Sequence, residues 1–160
     1  MSGSMRRLIA AGVLLGAVWM AALAGRAGEP VSFATGELSI VTGRGSYVFS
    51  VELASTPAER EQGLQGRRAL APSTGMLFDF KSPRPVYMWM KNTYISLDML
   101  FIDGEGRVAN IAERTVPMSL ATVGSDGPVR AVLEVDGGTA RRLGIKPGDR
   151  VVHRIFGNGG

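Results

Sequence analysis

The chain contains no cysteine, one histidine (His153) and few aromatic residues, 7 % of the total. Without cysteine there is no disulfide framework, no thiolate metal site, no cysteine nucleophile and no attachment point for a bacterial lipoprotein anchor. A single histidine with no Gly-x-Ser-x-Gly elbow excludes a serine-hydrolase triad. His153, between Val152 and Arg154 on the last expected strand, reads as a surface or satisfied core residue. The Gly-x-Gly at Gly104 to Gly106 precedes no helix, so it reads as a hairpin turn and not as a phosphate cradle. No motif calls for a cofactor. Charge of one sign is also scarce: 18 Lys and Arg against 14 Asp and Glu give +4. Apart from the pairs Arg67-Arg68 and Arg141-Arg142 the basic residues are scattered, which argues against nucleic-acid binding.

What is present is enough apolar material, 45 % of 160 residues, for one domain with a core. Arg6 and Arg7 precede an apolar and glycine stretch from Leu8 to Leu23, and Ala22-Leu23-Ala24 places small residues where a signal peptidase reads. Residues 1–24 therefore read as a signal peptide, 25–36 as a linker and 37–157 as one β-rich domain. Removing the leader takes both arginines with it and leaves the remainder close to neutral. The expectation is export to the periplasm or the exterior, with membrane contact only through this segment if it stays uncleaved. The stretch is short against the roughly 20 residues of a membrane span.

Beyond the linker, β-prone runs alternate with turns. Leu38–Val41 and Tyr47–Leu53 flank Gly43-Arg44-Gly45 as a hairpin. Thr56-Pro57-Ala58-Glu59 carries a helix start, with Thr56 as N-cap, Pro57 first in the helix and Glu59 closing a capping box; Gly63 and Gly66 stop it early. Strands are expected at Gly75–Phe80, Val86–Thr93, Ile95–Asp103, Arg107–Ile111, Val129–Val135 and Arg150–Phe156. A long loop spans Glu113–Pro128, and a second short helix Thr139–Leu143. Hairpin-length connections predict a mainly β fold, an antiparallel β-sandwich or barrel-like domain with two short helices.

Gly75-Met76-Leu77-Phe78, Met88-Trp89-Met90-Lys91-Asn92-Thr93 and Leu97-Asp98-Met99-Leu100-Phe101-Ile102 together resemble the domain of unknown function 192 family. Leu133-Glu134-Val135-Asp136-Gly137-Gly138 and Ile145-Lys146-Pro147-Gly148-Asp149 extend the resemblance over roughly Leu53 to Val152. It implies a compact β-rich domain, commonly exported in bacteria, and brings no activity with it.

On a pleated strand Met88, Met90 and Asn92 would share one face, and Trp89 and Lys91 the other. Paired thioethers suit Cu(I), so Met88 and Met90 are candidate metal ligands, although methionine also fills irregular core space against aromatics. Lys91, Asn92, Asp98 and Glu134 each interrupt an apolar run, and functional sites are where such local rules are broken. A buried Asp98 needs a partner, and Lys91 or the Asn92 amide is the expected one. The candidate ligand-binding set is Trp89, Lys91, Asn92, Asp98 and Glu134. Lys91 would supply charge, Asn92 orientation, and the carboxylates hydrogen-bond acceptors or a cation site. Few catalytic side chains remain in such a chain. The reading is a binding module for a small ligand or an exported protein partner; the alternatives are a small carboxylate-dependent hydrolase or lyase, and methionine-based Cu(I) binding.

Overall fold

The computed structural model describes residues 31–159, so the signal-peptide expectation falls outside the described residues. Among those described, no helix is long and apolar enough to cross a membrane. Nine strands and two short α-helices follow one another along the described residues. They are β1 (Ala34–Thr42), β2 (Gly45–Ala54), α1 (Pro57–Gln62), β3 (Thr74–Arg84), β4 (Tyr87–Met88), β5 (Leu97–Ile102), β6 (Val108–Ala112), β7 (Val123–Gly124), β8 (Val129–Asp136), α2 (Thr139–Leu143) and β9 (Arg150–Val152). The first strand opens at Ala34, inside the stretch expected to be linker.

Seven strands form one sheet in the order β6-β5-β8-β3-β2-β1-β9, while β4 and β7 pair separately. The sheet curls until its edges meet: Arg107 bridges Arg150, Val108 N–H donates to Asp149 O at 2.9 Å, and Val151 N–H donates to Gly106 O at 2.7 Å. Joining the edges leaves fewer open N–H and C=O groups for stray strand pairing. The result is a barrel-like, mainly β fold, as the turn spacing implies. One pairing departs from the antiparallel expectation, since β2 and β3 run parallel. Parallel neighbours need a crossover, and the segment carrying α1 supplies it. Its capping box is present, with Glu59 N–H donating to Thr56 Oγ1 at 3.2 Å and Thr56 N–H to Glu59 Oε2 at 2.9 Å.

Strand alternation divides the core between the two faces of the curled sheet. Leu38, Ile40, Phe49, Val51, Leu77, Leu100, Leu133 and Val151 fill the inside, where α2 adds Ala140. Met76, Phe78, Leu97, Met99, Phe101 and Val132 point outward and are roofed by Leu64, Val86 and Met90. Burying a side chain such as Leu or Phe contributes about 1.5–3 kcal/mol, so both layers stabilise the same sheet.

Two expected strands are shorter in the structure. The run Val86–Thr93 keeps only the two residues of β4, because Met90 N–H goes to Ser119 O and Asn92 turns the chain at φ 55°. Asparagine is among the few non-glycine residues that tolerate that region. Its inside-outside alternation is still visible, with Met90 buried and Trp89 exposed, but it comes from packing between two loops and not from a sheet ladder. The last strand ends at Val152, and His153 instead opens a 3-10 turn, its Nδ1 accepting from Ile155 N–H at 3.3 Å. Burial, chiefly, lowers its pKa, so the lone histidine is a satisfied structural group.

Candidate functional site

Against the outer face of the sheet, α1 and the 87–93 segment enclose a pocket of about 210 Å³. Its walls include Leu64, Phe78, Phe80, Tyr87, Met88 and Trp89, and its polar members include Arg60, Lys91, Thr93 and Glu134. Glu134 comes from the middle of β8, between Met76 of β3 and Met99 of β5, so three hydrogen-bonded strands fix its backbone. The residue is 4 % exposed. No described residue donates a hydrogen bond to its carboxyl group, yet no fully enclosed side-chain oxygen in the described residues lacks a partner. Its oxygens therefore open onto the pocket. Desolvation among methionines and phenylalanines disfavours the charged form and pushes the Glu134 pKa up to about 8. Near neutral pH the group is mostly a neutral acid that can donate as well as accept.

The rim is built from side chains anchored elsewhere. Arg60 donates to Ser55 O at 2.7 Å and to Asp79 O at 3.0 Å, and its guanidinium lies 5.4 Å from the Phe80 ring centroid. Lys91 Nζ sits 5.2 Å from the Trp89 ring centroid, a cation-π distance, and Trp89 is 49 % exposed at the mouth. The segment holding them is pinned by hydrogen bonds from Met118 N–H to Thr93 O and from Gly66 N–H to Asn92 O.

Of the residues singled out from sequence, Trp89, Lys91 and Glu134 line this one pocket. Asn92 does not line it; its amide donates to Gln65 Oε1 at 3.0 Å, and its left-handed backbone makes the turn that carries Lys91 back toward α1. Asp98 lies on the other face of the sheet. It pairs with Val135, the neighbour of Glu134, and successive strand residues point to opposite faces. Its partners are neither Lys91 nor Asn92. Asp98 Oδ1 accepts from Arg114 N–H at 2.8 Å and Gly138 N–H at 2.9 Å, and Oδ2 accepts from Ala140 N–H at 2.8 Å. The N-cap of α2 is Gly138, which has no side chain to cap with, so a carboxylate from β5 performs that task through the fold.

The paired methionines separate as well. Met88 borders the pocket, whereas Met90 is buried in the outer core layer with its Sδ 3.2 Å from Thr115 Oγ1. Only one of the two thioethers faces the pocket. No group of three His, Asp or Glu side chains in the described residues is arranged to hold a metal ion.

Phe78 and Phe80 were legible as strand residues, but that they would wall a pocket was not. Arg60 gave no sequence signal beyond its place in α1. Asp79 is a further buried carboxylate, one that the local sequence pattern does not mark. Burial pushes its pKa up, but hydrogen bonds from Lys81 and from Arg130 Nε at 3.3 Å outweigh this and hold it below the usual value. Asp79 is thus a paired ion, and Glu134 the buried acid without a protein partner.

The family model for the domain of unknown function 192 (uncharacterized ACR) matches residues 39–153. No curated protein matches the chain. Among solved structures, a provisionally named transcription regulator from Sinorhizobium meliloti is 50 % identical with a TM-score of 0.76, over 79 % of this chain and 98 % of that one. A protein of unknown function from Novosphingobium aromaticivorans is 42 % identical with a TM-score of 0.73, over 74 % of this chain and 85 % of that one. With most of its length matched by the family model and half of its residues shared with a solved relative, the chain belongs to the domain of unknown function 192 family.

Proposed function

We propose that this protein is a small-ligand binding module whose site is the pocket between α1 and the 87–93 segment, with Glu134 at its inner end. The observation that carries this reading is a buried carboxyl group whose oxygens open onto the pocket and which no donor among the described residues satisfies. A carboxyl group drawn this far out of water without a protein donor costs free energy on folding unless solvent or a ligand reaches it through the opening. Aromatic walls with a few convergent polar groups are the usual make-up of a ligand pocket.

A hydrolase or lyase working through two carboxylates is disfavoured by the placement of Asp98. Its side chain and that of Glu134 point to opposite faces of the sheet, and its oxygens are occupied by three backbone N–H groups. The regulator name of the Sinorhizobium protein is not extended to this chain, since the α-helices among the described residues have six and five residues, too short to lie along a DNA groove and read it. Export through the N-terminal segment remains part of the proposal.

The test is a thermal-shift screen of small polar and aromatic compounds against the protein and its Glu134→Gln variant. A ligand that binds only the native state raises the melting temperature. Hits that stabilise the parent and lose their effect in the variant support the pocket. A screen with no such hit, or hits indifferent to the variant, refutes it.

A further inference from the structure

Resting on that reading, we propose that the pocket takes the ammonium head of a small amine, held by Glu134 at the inner end with a short apolar or aromatic tail toward Trp89. The argument is an inventory of donors. The Thr93 hydroxyl is directed to Lys91 O at 3.3 Å. The Gln62 amide donates to Gln65 O at 3.4 Å, and the Gln65 amide to Glu61 O at 2.6 Å. Arg60 is fastened to two backbone carbonyls across the Phe80 ring, and Lys91 lies over Trp89. None of these side-chain donors is directed at Glu134, and the innermost polar group of the pocket accepts from none of them. A ligand seated against Glu134 supplies the donors that no described side chain directs at it.

The surroundings select among donor-bearing groups. Glu134 sits on the layer formed by Met76, Phe78, Met99 and Val132, and no cation among the described residues forms an ion pair with it. A neutral alcohol or amide can hydrogen-bond the protonated acid but leaves the ionised form uncompensated. An ammonium group compensates it and supplies three donors. The aromatic and thioether walls, Phe78, Tyr87, Met88 and Trp89, suit a soft or cationic guest, because ring faces carry negative potential. A cavity of 150 Å³ holds one benzene ring, so about 210 Å³ accommodates a single ring with an aminomethyl group. The other charged or titratable groups facing the pocket are Arg60 and Glu61 from α1 and Tyr87 and Lys91 from the segment opposite. From the strands beneath, β3 and β5 present apolar residues on this face, Met76, Phe78, Phe80, Leu97, Met99 and Phe101.

Seating the ammonium requires Glu134 to release its proton to solvent, so affinity must rise with pH. With the free carboxyl titrating near 8, about 1 % is ionised at pH 6 and about three-quarters at pH 8.5. The probes are benzylamine and its neutral isostere benzyl alcohol, titrated calorimetrically into the full-length protein at both pH values. Benzylamine should bind more tightly at pH 8.5, by at most about 75-fold, the ratio of the two ionised fractions. Benzyl alcohol should bind more weakly and without that pH dependence, and Glu134→Gln should abolish the benzylamine preference. If the alcohol binds as well as the amine and depends on Glu134, the ammonium proposal falls and the pocket stands. If benzylamine binds parent and variant alike, or shows no pH dependence, the ammonium proposal falls. If neither probe binds while the thermal-shift screen finds other Glu134-dependent ligands, the ammonium proposal alone is overturned; if the screen also finds none, both are. Should the variant fail to fold, the two-pH comparison of amine and alcohol on the parent decides the question.

Discussion

Replacing Glu134 with glutamine keeps the shape of the side chain and removes its ionisation, which makes it the sharpest probe of the outer core. In the unfolded chain the carboxyl titrates near 4.5, and in the native protein near 8. Between those values the native state holds a proton that the unfolded chain has already released. This group therefore favours the fold most below pH about 4.5, and that contribution is lost as pH rises through about 8. At about 1.4 kcal/mol per pH unit the whole window corresponds to roughly 5 kcal/mol. Because the oxygens open onto the pocket, water solvates part of the ion, and roughly 2–4 kcal/mol is the expected loss. The glutamine variant has no such slope. Urea denaturation of both proteins, followed by circular dichroism from pH 5 to pH 8.5, should show the variant gaining that amount on the parent. Parallel stability curves would refute the reasoning, since they would mean that Glu134 ionises freely in the native state.

Asp98→Ala removes the acceptor for three backbone N–H groups at the start of α2 and at Arg114, and should cost about 2–5 kcal/mol. An unchanged melting temperature would show that water replaces the carboxylate without penalty. Gly75→Ala places a Cβ against the carbonyl oxygen of Glu134 and the Val135 side chain, where β3 and β8 are in register. It should destabilise by at least about 2 kcal/mol in the same denaturation assay and disturb the strand that carries the pocket acid. A neutral effect would mean that the two strands separate easily at this point. For the N-terminal segment, protein recovered from an exported fraction is expected to begin at Gly25 or Gly28 on N-terminal sequencing. Intact Met1 in a membrane fraction would make the segment an anchor.

The local features of this chain are legible in its sequence because they arise from interactions a few residues apart. Thr56, Pro57 and Glu59 specify the start of α1 wherever that helix is placed. The alternation in Tyr47–Leu53 and Val129–Val135 specifies strands with a buried face, and turn residues such as Gly45, with φ 139°, specify where they reverse. The family resemblance rests on the same local runs, and the mainly β class follows from their spacing. Partners distant in sequence are another matter. Asp98 and Glu134 look equivalent, each a carboxylate in an apolar strand, yet an offset of one residue in the β5–β8 register sends them to opposite faces of the sheet. One meets the backbone of α2 and the other a pocket that offers it no donor. The Trp89–Asn92 run continues a strand's alternation past the end of β4, because its partners are Ser119 and the turn after α1. Register and loop packing depend on which elements meet in space, and side-chain period alone does not encode that choice. The sequence by itself thus determined the elements and the presence of misplaced polar groups; the tertiary structure decided which of them is satisfied and which is left open.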